Sequence, residues 1–363
     1  MVIKVNRPHK HIRVFSSPAS SGTNPYLNLF YSAMNLFGVK WMGGCNNNNK
    51  WLIENSSIID VIHLHWPEDR WRYSRHQNIN VLHGLAGFWR YLHLARRVGI
   101  KIIWTVHNLH HHEGVDWADK IGYWFLAKYA SLLICHSNYS KNEILKRWSP
   151  QCKIVVMKHG NYDGIYPDPQ PKEEVLRRLH LDPGKPTVCC LGAIRAYKGI
   201  DIAVQAITEL SGGVQLIVAG QPLQKFEIDS IMQQANNNDY IKIIPKKIND
   251  QAFSNFVSAS DAMLLPYRKI TGSGAFMAAV TLGCGVVASD LPYFREMLDG
   301  FELAGELYSP QTPDRLAAAI NKYIRIPQEL RSASARKLAD KCNWSEVVTP
   351  VVEELKILFG KTY

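Results

Sequence analysis

Two stretches of this chain, TVCCLGAIRAYKGIDIAV at residues 187–204 and LLPYRKITGSGAFMAAVTLGCGVVASDLP at residues 264–292, follow one plan: an apolar strand, a glycine-bearing turn, then a helix. A short apolar strand without polar alternation is buried on both faces, and a helix directly after it must cross the sheet, so the plan calls for parallel strands covered by helices. Thr271-Gly272-Ser273-Gly274 falls where a helix begins, so free backbone N–H groups and the positive end of the helix dipole meet at one spot. In the earlier stretch Gly192 is followed by Arg195 and Lys198-Gly199 at the mouth of the next helix. Each turn suits a phosphate, and two of them in one sheet suit a diphosphate.

The remainder of the chain has the same rhythm. In the first half the pattern predicts strands over Ile12–Ser16, Val61–His65, Lys101–His107 and Leu132–His136, with helices over Pro25–Phe37, Leu82–Val98 and Trp117–Ala130. In the second half it predicts strands near Thr187–Leu191, Gln215–Ala219, Ile241–Ile244, Ala262–Leu265 and Gly285–Ser289. The expected fold class is α/β, with two doubly wound, Rossmann-like domains. Tyr162–Pro171, with three prolines, is the expected linker. The domains are therefore expected at 1–166 and 167–345, with a final helix over 346–363.

A length of 363 residues with 46% hydrophobic content supports two cores and excludes a disordered scaffold. The chain has no apolar run of membrane-spanning length, and its first residues are too polar for a secretory signal, so a cytoplasmic protein is expected. Seven cysteines, two of them adjacent at Cys189-Cys190 and none in C-x-x-C spacing, read as core residues and not as disulfides or a zinc ribbon. Residues 1–166 hold 20 Lys+Arg against 9 Asp+Glu, whereas residues 167–363 are balanced at 22 each, so the whole formal excess of +11 lies in the first half. That half interleaves aromatics with cations in Arg70-Trp71-Arg72-Tyr73-Ser74-Arg75, a mixture suited to an anionic lipid surface or a lipid-diphosphate acceptor. No nucleic-acid motif accompanies the charge, and nucleic acid is not expected as a partner.

At these residues the chain resembles the nucleotide-sugar-dependent glycosyltransferases of the two-domain GT-B fold, specifically the family 4-like (group 1) enzymes. The resemblance rests on order and spacing: the Gly22 loop, Trp104–Asn108, the GAIRAYKG loop, Val218-Ala219-Gly220, Ala259-Ser260-Asp261 and the closing Trp344. The family's two glutamates, eight positions apart, align with Ile270 and Ala278, and its usual arginine after the first loop glycine is Ala193. The chain thus resembles a divergent branch tied to exopolysaccharide and lipopolysaccharide assembly. The resemblance implies two domains facing a cleft, a last helix crossing back to the first domain, and transfer of a hexose from a UDP- or GDP-sugar to a lipid-linked or membrane-associated glycan. It places donor diphosphate on Arg195, Lys198, Thr271, Gly272, Ser273 and Gly274, makes Gly22 a donor loop, and sets His107 against the donor sugar near its reacting carbon.

His107, at the end of a buried strand, is accordingly the first catalytic candidate, and Glu113 the second, as a general base. Glu68-Asp69 is an alternative base. His110-His111-His112 lacks the i, i+4 spacing of a metal site, and the chain has no Asp-x-Asp motif, so neither metal nor other cofactor is expected. Arg195, Lys198, Arg70, Trp71, Arg72, Tyr73 and Arg75 complete the candidate residues. A GT-B phosphorylase or nucleotide-sugar epimerase, and a non-catalytic binder of nucleotide sugar or glycolipid, remain open alternatives.

Overall fold

The structure, a computed structural model, describes residues 11–20, 22, 24–46, 48–72, 78–107, 109, 116–235 and 238–360. It divides into two compact units: Met1–Gly160 with Trp344–Tyr363, and Asn161–Asn343.

The first unit contains a six-stranded sheet: β1 (Ile12–Ser17), β2 (Val39–Gly44), β3 (Val61–Leu64), β4 (Lys101–Val106), β5 (Leu132–Cys135) and β6 (Lys153–Val156). Their order is β2-β1-β3-β4-β5-β6, all parallel. Side chains of successive residues pass to opposite faces, so Ile102, Trp104 and Val106 of β4 enter one core while Ile103 enters the other. The first core is closed by the helices Asn78–Arg97 and Asp116–Tyr129, the second by the helices Tyr26–Leu36 and Thr349–Leu358.

The second unit repeats the design with β7 (Thr187–Leu191), β8 (Gln215–Ala219), β9 (Ile241–Ile244), β10 (Ala262–Leu265), β11 (Val286–Ser289) and β12 (Gly305–Tyr308), in the order β12-β11-β10-β7-β8-β9. Every pairing is again parallel. The order reverses between β7 and β10, so the loops leaving these two strands diverge to opposite faces and open a crevice between them.

The segment expected to link the domains, Tyr162–Pro171, instead belongs to the second unit. Tyr162 is buried and its N–H donates to Thr281 Oγ1 at 3.1 Å; the Pro167 carbonyl accepts from Ser254 Oγ at 2.7 Å, and the Gln170 N–H donates to Asn255 Oδ1 at 2.9 Å. Prolines keep it out of regular structure, and side chains of the helices supply its backbone partners. The contact boundary accordingly falls at Gly160/Asn161, ahead of the expected 166/167, and the return to the first unit begins at Trp344.

Candidate active site

The second unit gathers the expected diphosphate residues at its β7/β10 crevice. After β7 the chain turns through Gly192, Arg195 and Lys198 to the helix Ile200–Glu209; after β10 it passes Tyr267 and Arg268 to the helix Gly274–Thr281. Ser273 caps that helix by accepting from the Phe276 N–H at 3.1 Å, leaving the first-turn N–H groups of Gly274 and Ala275 to a ligand. Thr271, Gly272 and Gly274 are half-buried beside it. Gly199 lies at φ +64, and a Cβ there would meet the Pro266 carbonyl at 2.0 Å, so the two loops touch backbone to backbone.

Lys198 points inward: Nζ donates to the Leu191 carbonyl at 3.4 Å and lies 5.9 Å from the Tyr267 ring centre. Burial, reinforced by the neighbouring Arg195 guanidinium, pulls its pKa down to about 8. Two cations this close without a carboxylate between them form a site that gains stability from an anion. Arg268 joins the loops. Its N–H donates to the Tyr197 carbonyl at 2.8 Å, its guanidinium donates to the Ala196 carbonyl, and it pairs with Asp201 at 2.6 Å. Sequence reasoning missed Arg268, although a cation three residues beyond a buried strand was a readable signal.

In the first unit His107 closes β4 on a wall of histidines. His65 Nδ1 is 3.0 Å from His107 Nε2, His65 Nε2 is 3.1 Å from Tyr31 Oη, Tyr31 Oη is 2.9 Å from His63 Nδ1, and His63 Nε2 is 2.8 Å from Thr105 Oγ1. Trp66 stacks on His107 at 4.2 Å and Tyr26 meets it edge-on at 5.1 Å. His136 Nδ1 donates to the Met157 carbonyl at 3.0 Å and His159 Nδ1 to the Gly160 carbonyl at 2.7 Å. Burial holds all five rings neutral, with His63 and His159 pulled down to about 3, His136 to about 4, and His65 and His107 well below the ordinary value. His63 and His65 were absent from the sequence candidates, yet the alternation His-x-His in VIHLH puts both on one face of the sheet.

Other candidates are placed differently. Gly22 is exposed, at φ +66, in the loop after β1. Glu68 is buried, accepts from the Tyr123 hydroxyl, and is raised by desolvation above the usual carboxylate range, so it is tied into the core instead of standing ready as an acceptor base; Asp69 beside it is exposed. Glu113, Tyr73, Arg75 and the three consecutive histidines lie outside the described residues.

Arg70, Trp71 and Arg72, expected at a lipid or acceptor surface, face inward, which corrects that expectation. Trp71 is fully buried and donates from Nε1 to Asp119 Oδ1 at 2.9 Å. Arg72 pairs with the same carboxylate, and Arg70 is buried over the Tyr91 ring at 4.5 Å. The large indole is what draws the segment in. It wedges between the two helices at Gly84 and Gly122, where added Cβ atoms would approach the Trp71 backbone to 2.8 Å and its ring to 2.6 Å.

The aromatic and basic surface lies instead on the outer faces of those helices. Trp89 at 41%, Trp117 at 38% and Trp124 at 46% exposure accompany exposed Arg90, Arg96, Arg97, Lys120 and Lys128. The helix Asn78–Arg97 contains no acidic residue.

Two doubly wound parallel units, the second with a crevice at its switch point, have the architecture of the GT-B fold. The family model described as glycosyl transferases group 1 matches residues 171–339, which lie within the second unit. The chain is 21% identical over 285 residues to a GDP-mannose:glycolipid 4-beta-D-mannosyltransferase of Xanthomonas campestris pv. campestris, covering 74% of this chain and 70% of that one. It is 26% identical over 295 residues to the lipopolysaccharide core biosynthesis mannosyltransferase LpsB of Rhizobium meliloti strain 1021, covering 77% of each. The fold is similar to that of Anabaena Alr3699/HepE in complex with UDP and glucose, with TM-score 0.71 and 14% identity, over 96% of this chain and 100% of that one.

Proposed function

We propose that the protein transfers a hexose from a UDP- or GDP-sugar to a lipid-linked or membrane-associated glycan, in the synthesis of a cell-surface polysaccharide. The observation that carries this reading is the joined pair of loops at the β7/β10 crevice, where Arg195, Lys198 and the start of helix Gly274–Thr281 converge. As the glycosidic bond breaks, the leaving diphosphate gains negative charge, and fixed cations with preoriented N–H groups stabilise that charge in the transition state. Arg195 and Lys198 take the part a metal ion plays in other transferases, so the reaction is proposed to need none.

The first unit binds the acceptor, with His107 positioned toward the reacting sugar, and docks reversibly on an anionic inner-membrane surface through the tryptophans and cations of helices Asn78–Arg97 and Asp116–Tyr129. Among the described residues no helix is long and apolar enough to cross a membrane. The glycolipid and lipopolysaccharide relatives support this acceptor class, and the UDP-bound neighbour and the GDP-mannose relative support the donor class.

The test is release of nucleoside diphosphate from a panel of UDP- and GDP-sugars mixed with lipid-linked glycan acceptors, with and without chelator. Acceptor-dependent release that survives chelation supports the proposal; binding of nucleotide with no release under any combination favours a non-catalytic binder. Lys198→Ala and Arg195→Ala are each expected to weaken diphosphate binding by about 1.5–3 kcal/mol, as charge-assisted hydrogen bonds are lost.

A further inference from the structure

We infer that Tyr31 is a positioning residue: acting through His65, its hydroxyl determines which ring nitrogen of His107 carries the proton. This rests on the reading above that His107 works at the reacting sugar.

The argument is one of hydrogen-bond direction. Thr105, His63, Tyr31, His65 and His107 form an unbroken chain with contacts of 2.8, 2.9, 3.1 and 3.0 Å. Tyr31 has a single hydroxyl proton and three partners, His63 Nδ1, His65 Nε2 and the Ser16 hydroxyl, so it donates to one of them and accepts from the others. Each ring is buried and neutral and therefore carries one proton. Two arrangements of His65 and His107 follow. When Tyr31 donates to His63 Nδ1 or to Ser16, His65 donates to Tyr31 from Nε2, its Nδ1 is bare, and His107 must hold its proton on Nε2. When Tyr31 donates to His65 Nε2, His65 donates from Nδ1 and His107 must hold its proton on Nδ1. The Nδ1 atom of His107 is a base in the first arrangement and a donor in the second.

His136 is committed by the Met157 carbonyl and His159 by the Gly160 carbonyl to carry their protons on Nδ1. Trp66 and Tyr26 hold His107 by ring contact. The chain has a reason to exist in the fold: β3 and β4 are paired with Leu64 opposite Trp104, which sets His65 beside Thr105 on one face, and helix Tyr26–Leu36 lays Tyr31 across them. Burying an unpaired imidazole nitrogen is costly, so the hydroxyl between two of them cannot be lost without consequence.

The experiment is nitrogen-15 NMR of the full chain labelled in histidine, with Tyr31→Phe and Thr105→Val beside the wild type and a His107→Gln variant for assignment. The wild type is expected to show one tautomer for His107. Tyr31→Phe should give both tautomers of His65 and His107 and lower kcat about ten- to hundredfold, the range for losing a partner that orients a histidine, with KM for the nucleotide sugar within about twofold. Thr105→Val nearly conserves volume and removes only the far end of the chain; it should shift the His63 nitrogens and, relayed through Tyr31, the His107 tautomer balance. It decides the matter if Tyr31→Phe disturbs the fold. A single, unchanged His107 tautomer in both variants overturns the inference while a slow His107→Ala enzyme leaves the function reading intact. Wild-type turnover in His107→Ala overturns that reading, and with it the catalytic half of the inference.

Discussion

Arg268 and Asp201 form an ion pair at 2.6 Å that ties the loop after β10 to the helix after β7, and the same guanidinium donates to the Ala196 carbonyl. An exposed ion pair alone contributes little, but this one holds in register the two loops proposed to face the diphosphate. Arg268→Ala is therefore expected to lower diphosphate affinity about three- to tenfold with little change in melting temperature. Calorimetric titration of UDP and GDP measures it, and equal affinity in the variant would sink the idea of a stitched site.

Lys198 offers a proton-linked signature. With its pKa held at about 8 by burial and by Arg195, a substantial fraction of the amine is neutral near pH 8, and a bound diphosphate restores its charge. Binding should therefore take up protons at pH 8, and affinity should fall as pH rises through that value. Calorimetry in buffers of different ionisation enthalpy reads the uptake directly. Lys198→Arg, which stays charged, should abolish it.

Acid should unfold the first unit through its histidines. The unfolded chain binds protons near pH 6.5, whereas His63 and His159 in the folded state do so only near 3 and His136 near 4. Stability is thus flat above about pH 6.5 and falls below it, by about 1.4 kcal/mol per pH unit for each ring, until the folded values are approached. Thermal melts between pH 7.5 and 5 check this, and a midpoint that stays constant over that range rules it out.

Gly122→Ala should destabilise the first unit by about 1–3 kcal/mol, because the new methyl group strikes the Trp71 ring, which is itself backed by the helix at Gly84. Denaturant titration gives the value. A stabilised variant would mean that the indole can move.

Vesicle docking is expected to depend on the outer helix faces and not on the buried Arg70 or Trp71. Trp89→Ser with Trp124→Ser should weaken flotation on both neutral and anionic vesicles, while Arg90→Glu with Arg97→Glu should weaken it on anionic vesicles alone and remove its salt dependence. Each basic residue near such a surface contributes about 1 kcal/mol. Unaltered flotation in both pairs would leave the lipid surface without support.

The interior strands were legible because burial on both faces leaves an unmistakable apolar run, as in Leu132–Cys135 and Ala262–Leu265. Three strands escaped: Val39–Gly44, Lys153–Val156 and Gly305–Tyr308. All three are edge strands and half-covered, so their residues are mixed and their pattern is weak. The two glycine-bearing loops after β7 and β10 could be read because glycine and a cation at a strand end are local features. The inward turn of Arg70–Arg72 could not, since it depends on Asp119 and on two glycines distant in sequence. Exposure of a charged residue is a property of its partners, and the sequence window around Arg70 holds none of them.

The first unit is built from two separated pieces of chain, and this has a consequence for the order of its making. Trp344 packs against Tyr26 at 5.4 Å and Phe30 at 6.2 Å, and Val351, Val352 and Leu355 fill the core beneath helix Tyr26–Leu36. Residues 161–343 are contiguous and have a core of their own, so they are able to fold as they leave the ribosome. The histidine wall has no such independence: it is assembled early but is sealed only when the strand of chain from Trp344 onward has been synthesised. Until then the nascent protein holds its β7/β10 crevice ready while its histidine wall stands open, so under the proposed function competence for binding precedes competence for transfer.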